Sequence, residues 1–193
     1  MPRSKEAARQ SILDAAEVVL RKHGAPALTM GAVATGAECA KGLVTYHFHT
    51  KAKLIVESVL RLAAAREAAW IQAFDTPNPQ DAIDRTWDVL KREAESGALR
   101  AWTSLVALGD DEVDQVVNNS SSQFRSRITE ATGDLLARAG LKTTIPTQQL
   151  GWLLAAVIQG MGFQIVGGGE LDVLENAYAA AWLGLLSLTE PLD

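Results

Sequence analysis

The string ALTMGAVATGAECAKGLVTYHFHTKAKLI, residues 27–55, constrains the fold more than any other part of the chain. Thr29 is a good N-cap, because its side-chain oxygen can take an orphan backbone N–H at a helix start. A short helix carrying Met30, Val33, Ala34 and Ala37 follows it. Glu38-Cys39-Ala40 interrupts that helix, and a second short one covers about Ala40–His47. Thr50 then caps a longer helix from Lys51 to about Phe74. Two short helices and a tight turn can lock at a steep angle, with Val33 and Val44 as internal pins and Ala37 small enough for close approach. The second helix is then free to lie in the major groove of a duplex, its N-terminal residues at base edges.

On that helix Lys41, Leu43 and Thr45 fall on or near the outward face. Lys can donate to guanine, and Leu or a Thr methyl can touch a thymine methyl. Gly42 lets the backbone approach closely. Thr29, Tyr46, His47 and Lys51 are candidates for phosphate contacts, which fix register and read no sequence. Charge supports a polyanion at this end. Residues 1–54 hold eight Lys/Arg against four Asp/Glu, and the remainder holds ten against nineteen, so the net −5 conceals a basic head on an acidic body.

The rest of the chain reads as helix. Ile12, Ala15, Ala16, Val19 and Leu20 make one apolar face of a helix from about Lys5 to His23, stopped by Gly24. Thr76-Pro77-Asn78-Pro79 breaks the chain before helices of about Gln80–Ser96 and Ala98–Leu108. A long helix from near Asp111 ends at Gly140, with a break possible at Ser120-Ser121-Ser122. Pro146 is expected in the first turn of a buried helix reaching Val166, and a last helix covers about Glu170–Leu188. No segment shows β-alternation. These elements predict an all-α chain of about nine helices, with a three-helix helix-turn-helix domain at 1–54 and a helical domain at 55–193.

Residues 9–60 resemble the DNA-binding domain of the TetR family of bacterial repressors. Thr29, Val33, Ala34, Ala37, Gly42, Val44, His47, Phe48, Lys51 and Leu54 fall at the matching places. The resemblance implies a homodimeric, ligand-responsive repressor of a near-palindromic double-stranded operator. Two departures stand out. Glu38 occupies the turn position usually held by Gly, where a positive φ would strain it, so another turn geometry is expected. Thr45 stands where a phosphate-contacting Tyr is common, a variation similar to the BetI-like subgroup.

The C-terminal pair of helices is apolar over more than one face. A two-fold four-helix bundle would bury it, with Leu154, Val157, Ile158, Met161, Tyr178, Trp182 and Leu185 at the dimer interface. The resemblance implies the same interface. It also implies a small-molecule effector pocket, for which Trp70, Phe74, Trp87, Trp102, Phe124 and Trp152 are candidate walls and Arg66, Arg85, Gln123 and Arg127 candidate orienting groups.

Other chemistries find little in the sequence. G-x-S-x-G, H-E-x-x-H and Walker A strings are absent, so no enzyme is expected. Cys39, His47 and His49 lack a second ligand pair at zinc spacing, and neither metal nor cofactor is expected. A single cysteine points to a reducing cytoplasm. The apolar window from Leu150 to Val166 is short for a membrane span and carries two glutamines.

Overall fold

Gly24 and Gly97 set the first half of the structure. The computed structural model describes residues 5–192. Helix α1 (Lys5–His23) ends at Gly24, whose φ is +78°. A single 3-10 turn at Ala25–Ala27 follows, then α2 (Met30–Gly36), α3 (Lys41–Phe48) and α4 (Lys51–Phe74). The remaining helices are α5 (Pro79–Glu95), α6 (Ala98–Val106), α7 (Asp111–Arg138), α8 (Thr147–Val166) and α9 (Leu171–Leu186). These are nine α-helices among the described residues, as the periodicity predicts.

The chain forms two compact units, each assembled from separated segments. One takes the chain to Ala64 together with Ser96–Ser120. Its core is continuous: Ile12, Ala16 and Leu20 of α1 pack with Val33, Val44, Phe48, Leu54, Val59, Trp102 and Leu105. Helix α6 is fastened to the end of α1. Arg100 Nη1 donates to the Lys22 carbonyl at 3.0 Å, and the Ala25 N–H donates to Ser104 Oγ at 2.9 Å. Gly97 allows this crossing. Its φ is +75°, and a Cβ there would lie 2.3 Å from the Arg21 carbonyl oxygen.

The other unit takes Ala65–Glu95 and the chain from Ser121 onward. Helix α5 packs on α8 and α9, which pack on each other. Helices α7 and α8 meet at Gly151, where a Cβ would stand 2.8 Å from Thr129 Cα. An aromatic series runs through this core: Trp87 to Tyr178 at 5.5 Å, Tyr178 to Trp182 at 6.5 Å, and Trp182 to Phe74 at 5.9 Å between ring centroids. Arg138 donates to the Phe74 and Thr76 carbonyls and so satisfies the end of α4.

Tyr178 makes this unit sensitive to alkali. Its hydroxyl donates to Thr86 Oγ1 at 2.9 Å, and burial pushes its pKa up to about 12. The unfolded chain ionises near the ordinary value of about 10 and the folded chain does not, so stability falls as pH rises across that window. The expected loss is roughly 2–3 kcal/mol between about pH 10 and 12. Urea titrations across that range should show it, and Tyr178→Phe should flatten the slope.

Several expectations change. A two-stranded antiparallel sheet pairs Leu141–Thr143 (β1) with Thr189–Pro191 (β2), where no strand is expected from the sequence. Helix α7 runs unbroken through Ser120-Ser121-Ser122. Pro146 is the N-cap of α8 and not part of its first turn. Helix α8 is buried along one face only; Leu150, Leu154 and Ile158 point inward, whereas Trp152, Leu153 and Phe163 are exposed. By length and apolarity α8 could cross a membrane, but its buried side is a seam against α5 and α9.

Candidate nucleic-acid interface

Four local devices present α3. Thr29 Oγ1 accepts the Ala32 N–H at 3.0 Å and starts α2. The turn after α2 closes with the Cys39 N–H on the Ala34 carbonyl at 3.0 Å. Glu38 in that turn has φ +51°. This corrects the expected change of geometry: the turn keeps its left-handed residue even though Glu replaces Gly, because the hydrogen bond and the burial of Ala37 over-determine it. Thr50 Oγ1 accepts the Lys53 N–H at 3.1 Å and starts α4.

Within α3, Val44 and Phe48 are 0% and 1% exposed, so they pin the helix to the core. The opposite side is open. Lys41, Gly42, Thr45 and Tyr46 are exposed, with Leu43 and His47 half-buried at the edges. Thr45 Oγ1 donates to the Lys41 carbonyl at 3.2 Å, which leaves its methyl as an apolar contact group. Thr29 and Lys51 are exposed as well. The eight residues singled out for DNA therefore all have accessible surface, and five of them share α3 with a sixth, Lys41, that opens it.

Ion pairing sorts the basic residues into two groups. Arg9 pairs with Glu57, and Arg61 bridges Asp14 and Glu17 at 2.6 and 2.7 Å, so these arginines tie α1 to α4. Lys41, Lys51 and Lys53 stand exposed, with no ion pair among the described residues. The sequence motif does not single out Lys53, yet it stands in the first turn of α4, two residues after Lys51, on the same exposed end. The Lys5 ammonium lies 5.4 Å from the centre of the Tyr46 ring.

Nothing stands within 4 Å of the position a Cβ would take at Gly42. The fold does not need glycine there. Gly42→Ala should melt at or above the parent's temperature, since Gly costs a helix interior roughly 0.5–1 kcal/mol relative to Ala. If the bare backbone serves close approach to a duplex, the same variant should lose DNA affinity several-fold in a fluorescence-anisotropy titration.

The second unit redistributes the other candidates. Trp70, Phe74, Trp87 and Phe124 are buried in its core, with Trp70 edge-on to Phe124 at 6.0 Å. Beside them Arg66 forms a buried ion pair with Glu93, Nε to Oε1 at 2.7 Å, and Trp70 Nε1 donates to the same carboxylate at 3.3 Å. Trp102 does not join this group; it packs in the first unit's core, because α6 fastens it against α1. Arg127 is exposed and pairs with Glu67 and Glu130. Arg85 donates to the Asp75 carbonyl, and Gln123 is exposed. Trp152 is 55% exposed, with the Arg125 guanidinium 4.6 Å from its ring centre.

The interface candidates also need correction. Leu154, Ile158, Tyr178 and Trp182 are at most 2% exposed in the single chain, so the subunit's own core consumes them. Val157, Met161 and Leu185 keep partial exposure. The open apolar surface of α8 and α9 instead carries Trp152, Leu153, Phe163, Val173 and Leu183.

A capped short helix, a tight turn and a second helix with an open polar face define a helix-turn-helix head, here carried by an all-helical chain. Comparison with known proteins agrees. Residues 12–57 match the family profile of bacterial regulatory proteins, tetR family. Among curated proteins nothing matches the sequence. Solved structures show the fold over nearly the whole chain. A TetR transcription regulator from Haloarcula marismortui ATCC 43049 superposes with TM-score 0.77 at 18% identity, covering 96% of this chain and 100% of that one. A protein from Saccharomonospora viridis solved in complex with choline gives TM-score 0.71 at 17% identity, covering 91% and 95%. The SmeT–triclosan complex gives TM-score 0.71 at 18% identity, covering 95% and 91%.

Proposed function

We propose that this chain is a dimeric, sequence-specific DNA-binding transcriptional regulator acting in the cytoplasm. It represses a near-palindromic operator, and a small apolar or amphipathic effector in the helical domain alters its DNA affinity. The open face of α3 carries this reading: a helix pinned by Val44 and Phe48 turns Lys41, Gly42, Thr45 and Tyr46 outward. Lys41, Leu43 and Thr45 read base edges, while Thr29, Tyr46, His47 and Lys51 hold phosphates. The DNA-reading part is residues 1–54, and residues 55–193 bind effector and partner subunit.

A second copy of the chain covers α8 and α9. Their open surface is apolar, and it has small residues at Ala156, Gly160, Ala180 and Gly184 that let helices approach closely. A four-helix bundle across a two-fold axis buries such a surface. The effector belongs near the buried aromatic group of Trp70, Phe74, Trp87 and Phe124, with Arg66 and Arg127 as polar neighbours. Two structures of the same fold were solved with choline and with triclosan, which supports a ligand-responsive body. The BetI-like variation at Thr45 bears on a DNA contact and names no effector.

Genomic fragments retained by the purified chain test the reading. A single enriched palindromic sequence is expected, with affinity falling steeply as salt rises, by about 0.9 in log–log slope per phosphate contact. Retention without sequence enrichment, or no retention at low salt, contradicts it.

A further inference from the structure

Beside α3 the first unit holds an open cleft of about 590 Å³, most of whose lining lies outside the proposed DNA surface. Ala8 and Ile12 of α1, Ala37 of the turn and Leu43 of α3 line its apolar side. Lys5, Tyr46 and His47 line it as well, with the Lys5 ammonium over the Tyr46 ring and His47 edge-on to that ring at 5.3 Å. The volume falls within the range of about 300–1,000 Å³ usual for small-molecule sites, and apolar walls with a few convergent polar groups are their usual make-up.

We propose that this cleft binds a small amphipathic organic anion, an aromatic ring bearing one carboxylate, and that its occupant excludes DNA directly. Charge and shape together favour that class. Lys5 has no ion pair among the described residues and stands in the first turn of α1, where the helix dipole also favours negative charge. Glu38, the one carboxylate among the lining residues, weighs against a second negative charge on the occupant. An apolar floor does nothing for a sugar–phosphate strand, whereas it desolvates an aromatic ring. Leu43, Tyr46 and His47 belong both to this cleft and to the proposed DNA surface, so an occupant covers groups that a duplex needs. That consequence rests on the DNA-binding reading; the binding itself does not.

Cys39 provides the test. It is the chain's single cysteine, is half-buried, and lines the cleft. The full-length protein is alkylated with iodoacetamide in the presence of 2-naphthoate or of its neutral methyl ester, and operator binding is followed in parallel. Naphthoate should slow Cys39 alkylation several-fold, the ester should protect less, and Lys5→Gln should remove the difference between them. Naphthoate should also release DNA over the concentration range in which it protects Cys39. Absence of protection overturns the site, as does protection by naphthoate undiminished in Lys5→Gln. Protection while the duplex stays bound overturns direct exclusion. A chain that binds no DNA yet protects Cys39 refutes the regulator reading and leaves the cleft standing.

Discussion

Lys41→Ala should bind the operator at least about thirtyfold more weakly than the parent chain, two contacts being lost by the proposed dimer, and should also lose discrimination at one base pair of each half-site. The expected cost is roughly 1–3 kcal/mol for each, the usual worth of a base-directed contact. Lys41 opens α3 at the end that reaches base edges, is exposed, and has no carboxylate partner among the described residues to lose. The substitution should therefore leave the melting temperature unchanged. Lys51→Ala is the contrast. Lys51 opens α4, outside the reading helix, and its removal should weaken all sequences alike and lower the salt slope by about 2, one phosphate contact per subunit of the proposed dimer. Anisotropy titrations with the operator and single-base variants, at several salt concentrations, separate the two patterns. Equal loss on all sequences for both variants would refute a base-reading role for Lys41.

Leu183→Glu should convert the proposed dimer to monomers with an intact fold. Leu183 is 60% exposed in the single chain, so glutamate there costs the isolated subunit almost nothing. At a two-fold interface it would bury two charges without partners, at several kcal/mol. Operator affinity should fall by about 10²–10⁴, since each head would bind its half-site without the avidity of the other. Trp182→Ala shows the opposite pattern. Trp182 is 2% exposed and packs between Tyr178 and Phe74, so its removal should cost the fold about 3–5 kcal/mol. Sedimentation equilibrium and thermal melts distinguish the cases. A Leu183→Glu chain that stays dimeric would place the partner elsewhere.

The contrast between Leu183 and Trp182 shows where the sequence is legible. Element positions follow from local chemistry: Gly24 stops α1, and Thr29 and Thr50 cap α2 and α4, each by a side chain or backbone next to the break. The inward and outward sides of α3 follow equally well, because Val44 and Phe48 stand four residues apart on one side while Lys41, Gly42 and Thr45 fall on the other. Helices α8 and α9 offer no such contrast. Both are apolar around most of their circumference, so periodicity cannot say which face the subunit keeps for itself. Tyr178 and Trp182 went inward with Leu150, Leu154 and Ile158, while Trp152, Leu153, Phe163 and Leu183 were left outside. Strands β1 and β2 are three residues each and pair across some fifty positions, too short for alternation and too distant for any turn signal. Trp102 is separated from the other tryptophans for a related reason: spacing marks it as buried but does not say in which core.

The central claim is that α3 lies in the major groove with Lys41, Leu43 and Thr45 at base edges. Replacing operator thymines one at a time with 5-iodouracil puts a photoreactive atom where the thymine methyl projects into that groove. Irradiation of the complex should cross-link the peptide containing residues 41–46, at positions in two half-sites about one helical turn apart. Cross-links confined to α5–α9, or none at any thymine of a bound operator, would contradict the account.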